Sequence, residues 1–128
     1  MGTFSSQWPL RTTKQVGDAA EDAALHYLTA QGLRLIARNY RTPGRGGGEI
    51  DLIMGAPDGT TVFIEVRQRA SDRHGGAAAS VGRGKQRRII FAARHYLSRL
   101  PCEPPCRFDV LLLEQQGIEW LQAAFDAS

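Results

Sequence analysis

The chain has 128 residues, a hydrophobic fraction of 42% and a formal net charge of +3 at pH 7. This composition is ordinary for one globular domain that is long enough to build its own core. No apolar run approaches the roughly 20 residues that span a bilayer, and the N-terminus lacks the apolar segment of a secretory signal, so we expect a cytoplasmic protein without membrane association.

The expected domain organisation is simple. Residues 1–13 show no hydrophobic periodicity, which is typical of a mobile arm. A single domain is expected over residues 14–125, since the intervening sequence contains neither an internal repeat nor a domain boundary. Residues 126–128 then form a short tail.

The first predicted element is a helix over Lys14–Gln31, ended by Gly32 in a C-cap position. Within it, Glu21 has apolar neighbours three, four and seven residues further on, which are Ala24, Leu25 and Leu28. This carboxylate is therefore expected to point at the core or beside it. The alternative is that Glu21 lies at the edge of the apolar stripe and reaches water.

A strand is predicted over Leu33–Arg41, and after a flexible loop a hairpin follows. Its strands are Gly48–Ile53 and Phe63–Arg67, both short and rich in β-branched residues, with a turn at Ala56–Thr60. A turn centred on Asp58 places Asp51 opposite Glu65 and Ile53 opposite Phe63.

Two opposed carboxylates in an apolar hairpin are unfavourable, because like charges face each other and both lose water. A divalent cation between Asp51 and Glu65 resolves the conflict, since hard ions such as Mg²⁺ bind carboxylate oxygens. Arg67 is two residues beyond Glu65 and shares its face. The alternative is a structural Glu65–Arg67 ion pair on a half-exposed strand. Glu49 is a lower-ranked ligand, expected to share a side with Asp51 only if a bulge intervenes.

Basic residues are concentrated between Arg67 and Arg94, a stretch that contains eight of them and only one acidic residue, Asp72. A basic surface beside carboxylates suits a polyanion that meets a metal, although a solvated loop and helix face explains it equally. The residues that we predict to bind nucleic acid are Arg69, Arg73, Arg83, Lys85, Arg87 and Arg88.

The second half of the chain begins with a loop over Gln68–Gly84 and an amphipathic helix over Arg83–Leu100. The cations in the first turns of this helix oppose its macrodipole, which indicates a bound anion there or simply hydrated charges. A buried strand over Arg107–Leu113 follows a helix and is expected to be parallel to its neighbour. A last short strand is predicted at Ile118–Leu121, with a tail from residue 123.

The element order α-β-β-β-α-β, with a carboxylate on the first helix, Asp on one hairpin strand and Glu-x-cation on the next, resembles the restriction-endonuclease-like PD-(D/E)XK fold. That α/β fold has a mixed central β-sheet flanked by helices. More closely, the chain resembles the YraN family of uncharacterised bacterial proteins, which is related to the archaeal Holliday junction resolvases. The resemblance runs roughly from Lys14 to Phe125 and rests on Gly17–Glu21, Asn39–Arg41, Gly48–Ile53, Phe63–Arg69, Lys85, Arg107–Val110 and Ala124–Phe125.

The resemblance implies a nuclease site that holds Mg²⁺ or Mn²⁺. In that site Asp51 and Glu65 are metal ligands, and Glu21 is an additional acidic ligand. The main-chain carbonyl of Val66 also faces the metal, and Arg67 occupies the position of the motif lysine. The implied partner is DNA, and by analogy with the resolvases the protein is expected to be a homodimer.

The arginine at this position matters, because a buried lysine can lose its proton whereas arginine effectively cannot. Arg67 is able to stabilise charge on a phosphate but not to deprotonate water. Three functions therefore remain open: a metal-dependent DNase acting on branched or nicked DNA, a non-catalytic nucleic-acid-binding module, and a scaffold in which the carboxylates are structural.

Overall fold

A computed structural model describes residues 13–68 and 81–127, with side chains from residue 17 onward. The predicted N-terminal arm (residues 1–13), apart from Thr13, lies outside the described residues, as do the predicted nucleic-acid-binding residues Arg69 and Arg73. The elements are α1 (Thr13–Ala30), β1 (Arg34–Arg41), β2 (Glu49–Gly55), β3 (Thr61–Gln68), α2 (Arg83–Leu97), β4 (Cys106–Glu114) and β5 (Gly117–Phe125).

The strands form a five-stranded open mixed sheet in the order β1-β2-β3-β4-β5. Neighbouring strands are antiparallel except β3 and β4, which are parallel and connected through α2. The predicted mixed α/β architecture and the parallel crossover are therefore confirmed. Neither helix in the described part of the chain is both long and apolar enough to cross a membrane.

Helix α1 ends where the sequence predicts. Gly32 has φ +100°, a left-handed conformation that glycine adopts without strain. The amide of Leu33 donates to the carbonyl of Leu28 at 3.1 Å, closing the last turn. Leu33 is buried and leads directly into β1.

Alternating side chains of the central strands divide the core into two layers. Ile53 and Phe63 pack with Ile89 of α2 on one face. On the other face, Leu52 and Ile64 pack with Leu28 of α1. Each helix thus covers one face of the sheet, and the functional side chains have to lie at the margins of these layers.

The register of the predicted hairpin is confirmed where the ladder is continuous. Ile53 pairs with Phe63, and Leu52 pairs with Ile64. The turn is closed by the amide of Ala56 donating to the carbonyl of Thr60 at 2.8 Å. The side chain of Asp58 accepts a hydrogen bond from the amide of Thr60 at 2.9 Å, which fixes this turn.

The C-terminal strand was predicted too short. A tail from residue 123 is wrong, because β5 continues to Phe125, whose ring stacks on Phe108 with centroids 5.0 Å apart. The ladder between β4 and β5 shifts register between Phe108 and Val110, and Ala123 has φ +51°. This irregularity breaks the two-residue alternation by which a strand is recognised in a sequence.

Candidate active site

Strands β2 and β3 part where the two predicted carboxylates face each other. The antiparallel pairs run from Gly55 and Thr61 to Leu52 and Ile64. At the next position the Oδ2 atom of Asp51 accepts the amide of Val66 at 2.8 Å. A side-chain carboxylate thus lies between the two strands, which brings Asp51 beside Glu65.

The Asp51 and Glu65 carboxylates interact with each other, with Glu65 buried and Asp51 partly buried. Burial, followed by the negative charge of Asp51, raises the pKa of Glu65 to about 7. The pKa of Asp51 is also raised, chiefly by burial. Only 8% of Glu65 is exposed, so solvent screens this repulsion weakly. The pair therefore holds a proton at neutral pH or requires a cation.

The nearest cation to the pair comes from helix α2. The Nζ atom of Lys85 lies 3.7 Å from Oε2 of Glu65, and its charge lowers the pKa of Glu65 more than that of Arg67 does. Sequence reasoning placed Lys85 only among the nucleic-acid-binding residues. The available signal was the positive charge in the first turns of α2, which is unfavourable next to the helix macrodipole unless it has an anionic partner. For Lys85 that partner is the carboxylate of Glu65 on β3.

Glu21 also approaches the pair, from helix α1. Burial, followed by the charge of Asp51, raises its pKa. Its side chain is 12% exposed and lies 3.5 Å from Nη2 of Arg38, whose Nη1 donates to Asp22 at 2.7 Å. Of the two positions considered for Glu21, the structure shows the inward one, near Asp51.

Strand β1 contributes Arg38, which the sequence did not single out, and Asn39, which entered only through the family resemblance. Arg38 holds Glu21 as described, and the side chain of Asn39 donates a further hydrogen bond to it. Asn39 has φ +51°, a conformation in which Asn is several-fold enriched. Nothing in the residue pattern of β1 indicates this positive φ.

The expectation for Glu49 was wrong. Residues two apart on a regular strand share a face, so Glu49 and Asp51 lie on one side of β2 without a bulge. The ladder pairs Arg41 with Glu49 and Tyr40 with Ile50 without interruption. The charge of Glu49 accordingly raises the pKa of Asp51.

Asp51 and Glu65 are the two carboxylates that could bind a metal, and Glu21 is a third carboxylate near them. Among residues 13–68 and 81–127, no group of three or more His, Cys, Asp or Glu side chains is close enough to hold a metal ion. The donor chemistry of Asp51 and Glu65 nevertheless suits a hard divalent ion, which takes carboxylate oxygens. A backbone carbonyl adds a ligand of the same kind.

The remaining predicted nucleic-acid-binding residues that the structure describes are Arg83, Arg87 and Arg88. All three are exposed on the first two turns of α2, whose N-cap is Gly82 without a side-chain capping bond. Lys85 alone among the cations of these turns points to the acidic pair. The structure thus separates one cation at the carboxylates from three at the surface.

The fold and site define an α/β protein with a mixed sheet in which β2 and β3 part beside a carboxylate pair of one buried and one partly buried residue. The chain belongs to the uncharacterised protein family UPF0102, whose model matches residues 20–113. This confirms the expected membership of an uncharacterised family.

Several relatives cover most of both chains. The UPF0102 protein of Albidiferax ferrireducens is 73% identical over 91% of this chain and 91% of its own. That of Paracidovorax citrulli is 67% identical, covering 91% of this chain and 86% of its own. That of Acidovorax sp. is 61% identical, covering 94% and 91% respectively.

Proposed function

We propose that this protein is a divalent-metal-dependent endonuclease of the restriction-endonuclease-like PD-(D/E)XK type that hydrolyses phosphodiester bonds in DNA. The observation that carries the proposal is the Asp51–Glu65 pair. A buried glutamate lies beside a partly buried aspartate, the pKa of Glu65 is raised to about 7, and the amine of Lys85 lies 3.7 Å from Glu65. Strongly perturbed carboxylates at a strand margin are typical of a functional site.

The residues present fit Mg²⁺ or Mn²⁺, with Asp51 and Glu65 as the carboxylate ligands. Val66 donates its amide to Asp51, and since the amide and carbonyl of one strand residue point to the same side, its carbonyl also faces the pair. Glu21, whose pKa is raised in part by the charge of Asp51, is the proposed additional acidic ligand, although the described side chains form no group of three close enough to hold a metal. When bound, such an ion polarises the phosphodiester and lowers the pKa of a bound water.

The protein's own cations act on the phosphate. Lys85 and Arg67 both place positive charge beside Glu65. In the cleavage reaction they stabilise the negative charge that accumulates on the phosphate oxygens. Arg67 orients and stabilises but does not take a proton. Lys85 thus provides an amine near Glu65, whereas the position of the motif lysine on β3 is occupied by Arg67.

Branched or nicked duplexes are the proposed substrates, in the cytoplasm. The support is the exposed cations of α2 beside the acidic pair, together with the sequence resemblance to junction resolvases. Arg83, Arg87 and Arg88 lie within two turns of Lys85 on that helix. A homodimer suits such substrates, because a junction presents two symmetric strands to a two-fold axis.

A cleavage assay tests this function. Purified wild type, Asp51→Asn, Glu65→Gln and the control Asp58→Asn are incubated with nicked, flapped and four-way DNA in Mg²⁺ or Mn²⁺. Asp58 is fully exposed in the hairpin turn, so its variant removes the same charge at the far end of β2 and β3. Cleavage by wild type and Asp58→Asn, lost in the other two and in chelator, supports the proposal. Equal cleavage by all four proteins overturns it.

A second candidate is a nucleic-acid-binding module without turnover. Arg67 in the lysine position favours it, as does the lack of a three-residue metal-binding group among the described side chains. This function predicts DNA binding whose affinity falls with salt in proportion to the phosphates contacted. It also predicts no metal-dependent product from any of the branched substrates.

A further inference from the structure

The outer side of helix α2 forms one wall of a groove that the carboxylate site does not use. The groove has a volume of about 800 Å³ and lies between α2 and the end of β5. Its apolar surface comes from Ile90, Phe91 and Phe125, and its cations are Arg83, Arg87 and Arg94. It thus combines aromatic rings with guanidinium groups along one helix.

Phe91 is the most exposed large apolar side chain in the described part of the chain, at 55%. A single exposed apolar residue needs no explanation. Phe91, however, stands one helical turn from Arg87 and from Arg94, whose side chains flank it on the same surface. A solvent-facing ring between two cations is a platform for a planar, negatively charged ligand.

The groove carries an excess of positive charge. Its three arginines are accompanied by one acid, Asp126. Arg83, Arg87 and Arg94 are all exposed, so their guanidinium groups face solvent. Arg94 donates to the carbonyl of Ala127 at 3.5 Å, a long bond that leaves most of its donors available. The groove therefore complements a polyanion rather than an apolar or a cationic partner.

The groove and the carboxylate pair lie on opposite sides of the first turns of α2, because Arg83 and Arg87 are each two residues from Lys85 and a helix turns about 100° per residue. Arg83 and Arg87 lie in the same first turns of α2 as Lys85, which contacts Glu65. From Arg83 to Arg94 the helix rises about 16 Å. A strand that leaves the acidic pair therefore has to cross the start of α2 to enter the groove.

We propose that this groove binds a single-stranded DNA segment adjoining the cut site, with a base stacked on Phe91 and phosphates held by Arg87 and Arg94. Base faces are accessible to a side chain only where the strand is unpaired, which selects tailed or flapped DNA over blunt duplex. This inference rests on the proposed nuclease function for the position of the cut. DNA binding in the groove itself does not depend on cleavage.

The test is fluorescence anisotropy in chelator, so that no cleavage occurs. The probes are a labelled single strand of about 12 nucleotides and a labelled blunt duplex. Phe91→Ala is compared with Leu35→Ala. Leu35 lies on β1, outside the groove, and is another exposed large apolar side chain, at 41% exposure. Arg94→Ala is compared with Arg99→Ala, an exposed arginine beyond the end of α2 that does not line the groove.

Phe91→Ala is expected to weaken single-strand binding about tenfold, because stacking on one aromatic ring accounts for roughly that factor or more. It leaves duplex binding unchanged. Arg94→Ala lowers the slope of log affinity against log salt by about one phosphate contact. The two controls bind as wild type does.

Wild-type affinity in Phe91→Ala overturns the proposal. The proposal is also overturned if light scattering shows that Phe91→Ala changes the oligomeric state while the affinity for single-stranded DNA stays the same. The groove is then an interface between copies of this chain. Asp51→Asn separates the two proposals, since it retains groove binding in chelator. If Phe91 matters for binding but no protein cleaves DNA, the nuclease function fails and the groove stands.

Discussion

The amine of Lys85 lies 3.7 Å from the Glu65 carboxylate, although the two residues belong to different elements. The contact places a lysine where the proposed nuclease chemistry calls for one, while the strand position two residues after Glu65 holds Arg67. Helix α2 therefore completes a charge arrangement that the hairpin alone lacks. This relationship determines what should happen when either cation is changed.

Lys85→Met should lower the cleavage rate by about 100-fold, the usual cost of removing one group that stabilises a developing negative charge. Arg67→Lys should retain measurable cleavage, because the charge stays in place. Both are measured as initial rates on the best substrate. The control is Arg99→Met, which removes a cation beyond α2 and should cleave as wild type does. A Lys85→Met protein with wild-type rates would show that the lysine only neutralises Glu65.

The stability of the metal-free protein should fall as pH rises from about 5 to 8. The pKa of Glu65 is raised from 4.5 to about 7 in the folded state, so the native protein binds more protons than the unfolded chain within that window. Its contribution is thus greatest at low pH and is lost as the carboxylate ionises. At one pKa unit per 1.4 kcal/mol, the loss is at most about 3 kcal/mol.

Thermal unfolding followed by circular dichroism measures this effect in chelator at several pH values. Glu65→Gln should flatten the pH dependence, whereas Glu119→Gln, at an exposed position on β5, should leave it as in wild type. Addition of Mn²⁺ should raise the unfolding temperature most at pH 8. A Glu65→Gln profile that still falls as steeply as wild type would place the responsible group elsewhere.

Gly48 sets the distance between the hairpin and α2. A Cβ atom at this position would collide with the carbonyl oxygen of Arg88 and lie 3.0 Å from the amide nitrogen of Ala92. Gly48→Ala should therefore destabilise the fold by about 2 kcal/mol, as overpacking generally does, and should shift Lys85 away from Glu65. Gly84 lies in α2 with open space around it, so Gly84→Ala should instead stabilise the fold by about 1 kcal/mol. Urea unfolding of the two variants would contradict this account if both changed in the same direction.

Asp109 illustrates a carboxylate with a purely structural role. It is fully buried and accepts hydrogen bonds from the side chains of Arg107 at 3.0 Å and Trp120 at 2.9 Å, and from the amide of Ala123 at 2.9 Å. Asp109→Ala strands these donors and should cost about 3–5 kcal/mol of unfolding free energy. Asp109→Asn keeps an acceptor and should cost less. Equal stability of wild type and Asp109→Ala in denaturant titration would refute this role.

The sequence was sufficient to predict the hairpin and its acidic pair. A strong turn at Ala56–Thr60 fixes the register, and two-residue alternation then fixes which side chains meet. Both helices begin within one residue of their predicted starts, and Gly32 marks the end of α1, because the apolar periodicity and the glycine are local signals. Local chemistry is what one sequence carries most directly.

The missed features depend on contacts between distant elements. Lys85 reaches Glu65 only because the crossover places the start of α2 over the end of β3. Arg38 and Asn39 reach Glu21 only because β1 packs beside α1. The extension of β5 to Phe125 depends on stacking with Phe108 through an irregular ladder. None of these contacts leaves a periodic trace in the residues.

The most direct test of the central claim is calorimetric titration of Mn²⁺ into wild type, Asp51→Asn and Asp58→Asn, each with and without bound DNA. The account predicts saturable binding to wild type and Asp58→Asn that disappears in Asp51→Asn. The same heat of binding in wild type and Asp51→Asn, or no binding to wild type even with DNA present, would contradict a metal site at the Asp51–Glu65 pair.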